Sequence, residues 1–168
     1  AGDWIFSQTE LVIQGGTLQW SDEMRSVPPL TLAQVDLVIR NTARGHAMRL
    51  DATPPAELGG RFSLRGEFKQ AFLTTHAGQW RQWDGQVYTA FERVDLSQLA
   101  RYANLGVAVS EGSGVFRAWF DVRRGQVVGA TADVALARVS LAFASQPAPV
   151  VMTALTGRLG GRRFDGGF

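Results

Sequence analysis

The stretch Gln34-Val35-Asp36-Leu37-Val38-Ile39-Arg40 puts Val35, Leu37 and Ile39 on one side of an extended chain and Gln34, Asp36 and Arg40 on the other. Successive side chains of a strand point to opposite faces, so this alternation marks a strand with one dry face and one wet face. The same grammar continues outward from it. After a turn at residues 41–45, Met48, Leu50 and Ala52 oppose Arg49 and Asp51. Pro54-Pro55 stops that strand, because proline has no amide to give to a ladder. Phe62, Leu64 and Phe68 then face away from Ser63, Arg65 and Glu67. Upstream, Leu11 and Ile13 alternate with Val12 and Gln14, Gly15-Gly16 reads as a tight hairpin turn, and Leu18 and Trp20 resume the pattern. Asp22 and Glu23 break it, and Pro28-Pro29 closes this first hairpin.

Further on, residues 70–83 have no period and read as a connection, and residues 86–93 read as a strand. Residues 95–103 predict the one helix: Leu96, Leu99, Ala100 and Ala103 share a face, and the Asp95 carboxylate is placed to accept from first-turn amides. A glycine- and serine-rich stretch at 106–114 leads into strands at 114–123, 126–136, 137–144 and 150–159. Gly125, residues 146–149 and Gly160-Gly161 read as turns between them. The sum is about nine strands and one short helix. Parallel neighbours need a crossover of about a dozen residues, so short connections dictate an antiparallel meander. The predicted fold is mainly β: a strongly twisted, curved meander sheet, an open trough or one closed in part, spanning residues 1–168 as a single segment.

Composition narrows the function. Hydrophobic residues make up 45% of the 168 and charged residues only 19%, which suits a core-forming chain with an apolar concavity. The net charge is +2, Lys69 is the sole lysine, and no basic stripe interleaves with aromatics, so nucleic acid is not an expected partner. Cysteine is absent, which excludes disulfides and thiolate chemistry. No apolar run reaches the roughly 20 residues of a membrane span. The chain opens at Ala1 directly in patterned sequence and stops soon after Arg162-Arg163-Phe164, so it reads as a piece of a longer protein.

Candidate chemistry is sparse. His46 and His76 are the only histidines and have no accompanying metal-ligand spacing. His46 follows a turn and suits an exposed or hydrogen-bonded role; His76 falls in the unpatterned connection. The carboxylate pairs Asp22 with Glu23 and Glu92 with Asp95 flank turns or a helix cap. Gly112-Ser113-Gly114 has no following lysine and leads into a strand, so it lacks the logic of a phosphate loop. No enzyme and no cofactor is expected. Five tryptophans are many for this length: Trp20 and Trp119 are expected in the core, and Trp80 and Trp83 over a sheet edge or at a cavity mouth.

The order of motifs resembles a family. The run from Leu11 through Gly15-Gly16 to Trp20-Ser21-Asp22 is similar to its strand, Gly-Gly, strand, Trp-x-Asp unit. It is followed by Leu30-Thr31-Leu32, Val35-Asp36-Leu37, Gly45-His46-Ala47-Met48 and Pro54-Pro55 with Leu58-Gly59. Trp83-Asp84-Gly85-Gln86-Val87-Tyr88, Val94-Asp95-Leu96 and Gly112-Ser113-Gly114 before Arg117-Ala118-Trp119 complete it. Together these resemble the large AsmA-like envelope proteins of Gram-negative bacteria, most closely the YhdP family, over nearly the whole chain. The resemblance implies a periplasmic β-trough within a protein anchored in the inner membrane, carrying phospholipid towards the outer membrane and supporting its permeability barrier. It implies phospholipid acyl chains and neighbouring segments of the same long chain as partners, with membrane contact only through other parts of the protein.

On that footing Leu37, Ile39, Met48, Leu50, Phe62 and Leu64 are the expected lining of a lipid groove, set against an ordinary closed core made of the same residues. Two other readings stand beside the conduit: a structural or protein-interaction module of the envelope that docks chains at its strand edges, and a closed barrel for a small hydrophobic ligand.

Overall fold

The computed structural model describes residues 2–21, 27–70, 80–102, 108–143 and 148–162. Its strands are β1 (Glu10–Trp20), β2 (Leu30–Asn41), β3 (Gly45–Thr53), β4 (Phe62–Gln70), β5 (Trp83–Asp95), β6 (Ala108–Arg123), β7 (Gln126–Ala142) and β8 (Val150–Arg162). They form one eight-stranded sheet in sequence order, and every neighbouring pair is antiparallel. β1 and β8 are the outer strands, so the meander is open.

Within the sheet, the differences from the sequence reading concern where a strand bends and where it ends. Gly15-Gly16 is not a hairpin turn. β1 runs straight through it, with Gly15 at φ 62° and the register shifting on both sides of Gly16. The amide that this irregularity frees from the ladder is taken up by Asp36 Oδ1 at 3.0 Å. The expected strands at 126–136 and 137–144 are a single β7, which passes through Arg138 at φ 51°. Gly160-Gly161 lies inside β8, and β6 already includes Gly112-Ser113-Gly114. Bulges of this kind lodge an extra residue, bend the strand and raise the local twist. Gln34, at φ 49°, supplies a further one in β2, between Ala33 and Asp36.

The expected helix is present as α2 (Leu96–Tyr102), and Asp95 caps it. Asp95 Oδ1 accepts from the amides of Ser97 (2.9 Å) and Gln98 (3.3 Å) and from the Ser97 hydroxyl (2.6 Å). Losing such a cap costs about 1 kcal/mol, so Asp95→Ala is expected to lower the urea midpoint by the equivalent amount. Ala103, Gly106 and Val107 lie outside the described residues. So do Asp22, Glu23, His76 and residues 146–147. The structure adds a six-residue helix, α1 (Gly2–Ser7), and a single 3-10 turn at Trp80–Gln82.

The two buried hydrophobic clusters lie on one face of the sheet. Leu96 of α2 buries against Val94, Val134, Leu136 and Val139, with Leu99, Phe91 and Phe116 alongside. A second cluster joins Leu32, Val35 and Ala52, with Leu30, Leu37, Leu50 and Phe62 around it. The ring of Trp20 on β1 lies 6.4 Å from that of Tyr102 on α2. The sheet is therefore curled towards its apolar side until its first strand meets the helix that follows its fifth.

Candidate functional site

Directly paired residues of an antiparallel sheet share a face, so the register can be followed strand by strand. One row runs Ile13, Leu37, Leu50, Leu64, Thr89, Ala118, Ala132, Leu159 across all eight strands. The next row on the same face holds Leu11, Ile39, Met48, Gly66, Val87, Phe120 and Ala130. On the other flank Ala52, Phe62, Phe91, Phe116 and Val134 are paired in turn. None of these residues carries a charge. The one hydroxyl, that of Thr89, donates to the Ser63 carbonyl at 3.1 Å. With its polar group satisfied, this face is hydrocarbon to anything lying on it.

All six residues expected to line a groove fall on this face in three adjacent rows. Leu37, Leu50 and Leu64 share one row, Ile39 and Met48 the next, and Phe62 lies in the third. Ile39 is buried; the other five are half-buried. Sequence reading missed Val87 and Phe120, which extend the same surface on β5 and β6. The reason is that β6 is apolar on both sides, so alternation cannot say which side faces in.

Two helical caps close the ends of this face. α2 covers one end, as described. At the other, Phe6 of α1 meets the rings of His46 (5.5 Å) and Trp83 (4.7 Å) edge-on. His46 and Trp83 stack at 4.1 Å and 14°, and Phe68 lies 5.5 Å from Trp83. Asn41 ties the helix down. Its amide donates to the carbonyls of Ile5 (3.2 Å) and Gln8 (2.6 Å). Its Oδ1 therefore faces His46 Nδ1 at 2.7 Å, which places the proton on that ring nitrogen. His46 thus has the hydrogen-bonded role expected of it, but buried in a cap and not exposed. Trp83 is likewise buried in the cap and is not at an open mouth. Between the caps lie the rows containing Leu64, Met48, Val87 and Phe120, none of which belongs to either buried cluster.

The opposite face is charged. Arg40 pairs with Glu10 (2.8 Å), and Arg49 with Asp51, Arg61 with Asp36 and Arg158 with Asp133 at 2.6 Å each. Burial pushes the Asp51 carboxyl up, but hydrogen bonds from Ser63 and Arg49, with the charges of Arg49 and Arg61, outweigh it and hold it below its ordinary value. The hydrogen bond from Arg158 does the same for Asp133. An open cleft of about 1030 Å³ lies at the end of the sheet near the β2–β3 and β6–β7 turns. Arg40, Lys69, Arg123 and Arg162 line it with Glu67, Asp84 and Asp121, beside His46, Phe68, Val122 and Val128, so its lining is mixed. Trp119 is not a core residue either: it is 39% exposed and stands on the charged face. Trp20 is 40% exposed, at the rim of the apolar face.

Among the described residues no helix is long and apolar enough to cross a membrane, and no group of three or more His, Cys, Asp or Glu is placed to hold a metal ion. The fold and face chemistry thus define a one-sided, open β-trough with a hydrocarbon floor. The chain belongs to the YhdP family: the family model described as YhdP protein matches residues 1–168. No curated protein and no solved structure matches it.

Proposed function

We propose that this chain is a length of hydrophobic conduit for phospholipid in the bacterial envelope, with acyl chains lying on the apolar face between the two helical caps. Membership of the YhdP family fits an envelope protein and supports this reading. The observation that carries it is the uninterrupted row from Ile13 to Leu159 through eight strands without a charge. Seven gaps of about 4.8 Å make that row about 34 Å long, against about 15 Å for the acyl layer of one bilayer leaflet. Each CH₂ removed from water contributes about 0.8 kcal/mol, so fourteen of them covered on one side only still contribute about 6 kcal/mol. Such a surface holds lipid firmly without a specific contact, and lets it slide because no position along the row is special. On this reading the chain works as part of an inner-membrane-anchored periplasmic protein and carries lipid towards the outer membrane without catalysis.

The test is lipid extraction and mass spectrometry on protein purified without harsh detergent. Phospholipid at or near one molecule per chain is the expected result. Protein that arrives without lipid and takes up no added fluorescent phospholipid would leave a scaffold in place of a conduit.

A further inference from the structure

The charged face carries one feature that lipid conduction does not use. Tyr88 and Trp119 are directly paired in the register of β5 and β6, and their rings lie 5.1 Å apart at 42°. Trp119 is pinned from a second side by the Arg158 guanidinium, 5.7 Å from the ring centroid. Arg158 is itself fixed by two hydrogen bonds to Asp133, at 2.6 and 2.8 Å. The ring is thus held in one orientation while remaining 39% exposed. Around it stand Arg65, paired with Tyr88, and Arg117, two positions from Trp119 on the same face. Both are exposed, and neither has a carboxylate within ion-pair distance among the described residues, unlike the four arginines of this face that are paired.

A pre-set Trp-Tyr platform ringed by arginines is the composition of a binding hot spot, and it costs little entropy to engage because its rotamers are already fixed. We propose that this platform is a docking surface for another protein, which presents an apolar side chain to Trp119 and carboxylates to Arg65 and Arg117. Two strand spacings and two residues separate those arginines, so the partner's carboxylates sit about 12 Å apart. The charge pattern selects a protein over a lipid surface: Asp51, Glu67, Asp121 and Asp133 alternate with the arginines of this face, so it lacks the uniform basic patch that draws in an anionic bilayer. The inference is independent of whether the other face carries lipid.

The experiment places the photo-crosslinker benzoylphenylalanine at Thr131, the residue paired with Trp119 on β7, in the full-length protein in living cells. Val151, 74% exposed on β8, serves as the comparison position. The expected result is a protein adduct at Thr131 whose crosslinked peptide contains Asp or Glu. It is at least fivefold stronger than any at Val151 and falls at least fivefold with Arg65→Glu/Arg117→Gln. Glutamine at position 117 avoids a new like charge beside Asp133, and Arg65→Lys/Arg117→Lys should retain most of the adduct. No protein adduct, a lipid adduct, an adduct indifferent to the arginines, or a crosslinked peptide without carboxylates overturns the proposal.

Discussion

Leu64→Asp is expected to lower the phospholipid recovered with the protein at least tenfold while leaving the sheet folded. Leu64 lies mid-row between Leu50 and Thr89, on the stretch between the caps. It is half-buried and belongs to neither packed cluster, so its side chain serves the surface more than the core. The substitution removes an apolar contact worth about 1.5–3 kcal/mol when fully covered. It also sets a carboxylate where an acyl chain would have to strip its water, a further cost of several kcal/mol. Even half of that sum exceeds the 1.4 kcal/mol that makes a factor of ten. Val38→Asp is the matched control. Val38 is on the charged face, opposite Arg49 of the Arg49–Asp51 pair in the register, and a carboxylate there stands among charges and leaves the apolar face untouched. Lipid loss in Leu64→Asp but not in Val38→Asp, with similar melting temperatures, assigns the lipid to the apolar face. Equal lipid recovery in both would remove the groove from the conduit reading.

That the face could be named at all follows from how β2, β3 and β4 are written. Each carries a run of alternating apolar and polar residues, and a slip of one residue would turn every side chain over, so the register of that run is strongly specified. The six groove residues come from these three strands. Legibility ends where this redundancy ends. β6 places Phe116, Ala118 and Phe120 on one face and Trp119 on the other, so hydrophobicity alone does not separate inside from outside. Only the partner strands do, by setting Trp119 beside Tyr88. Trp119 is accordingly read as core when it is an exposed platform.

The glycines misled for a different reason. A Gly-Gly pair is compatible with a turn and with a bulge, and the choice at Gly15 is made by Asp36, twenty-one positions away, which accepts the freed amide. The cap at the α1 end is invisible in the same way. A helix of six residues is too short to display a period, and α1 holds its place through Asn41, His46 and Trp83, which come from other strands. α2, by contrast, was legible because its capping carboxylate and its apolar face lie within eight consecutive residues. Local signals reached the sequence reading; contacts that close over distance did not.

The α1 cap also depends on a residue with no side chain, and Gly85→Ala is expected to damage stability heavily. A Cβ at Gly85 would overlap the Glu67 carbonyl oxygen and lie 2.8 Å from Phe68 Cα and 2.7 Å from Phe68 Cδ1. Two of these atoms are backbone of the neighbouring strand, so no rotamer change relieves the clash and β4 and β5 must part. The Phe68 ring also sits 2.7 Å from where a Cβ on Gly66 would be. Bare backbone on both strands is what allows that ring to lie down towards Trp83. Separating the strands here opens ladder hydrogen bonds and unseats Phe68, Trp83 and His46 together. Overpacking alone costs about 1–3 kcal/mol, and the lost aromatic packing adds to it, so about 3 kcal/mol or more is expected. Gly157→Ala provides the scale: nothing lies within 4 Å of a Cβ there, and the change should stay within about 0.5 kcal/mol. Urea unfolding of the two variants decides the matter. A Gly85→Ala midpoint equal to that of Gly157→Ala would mean that β4 and β5 yield locally and that the cap does not rest on this close approach.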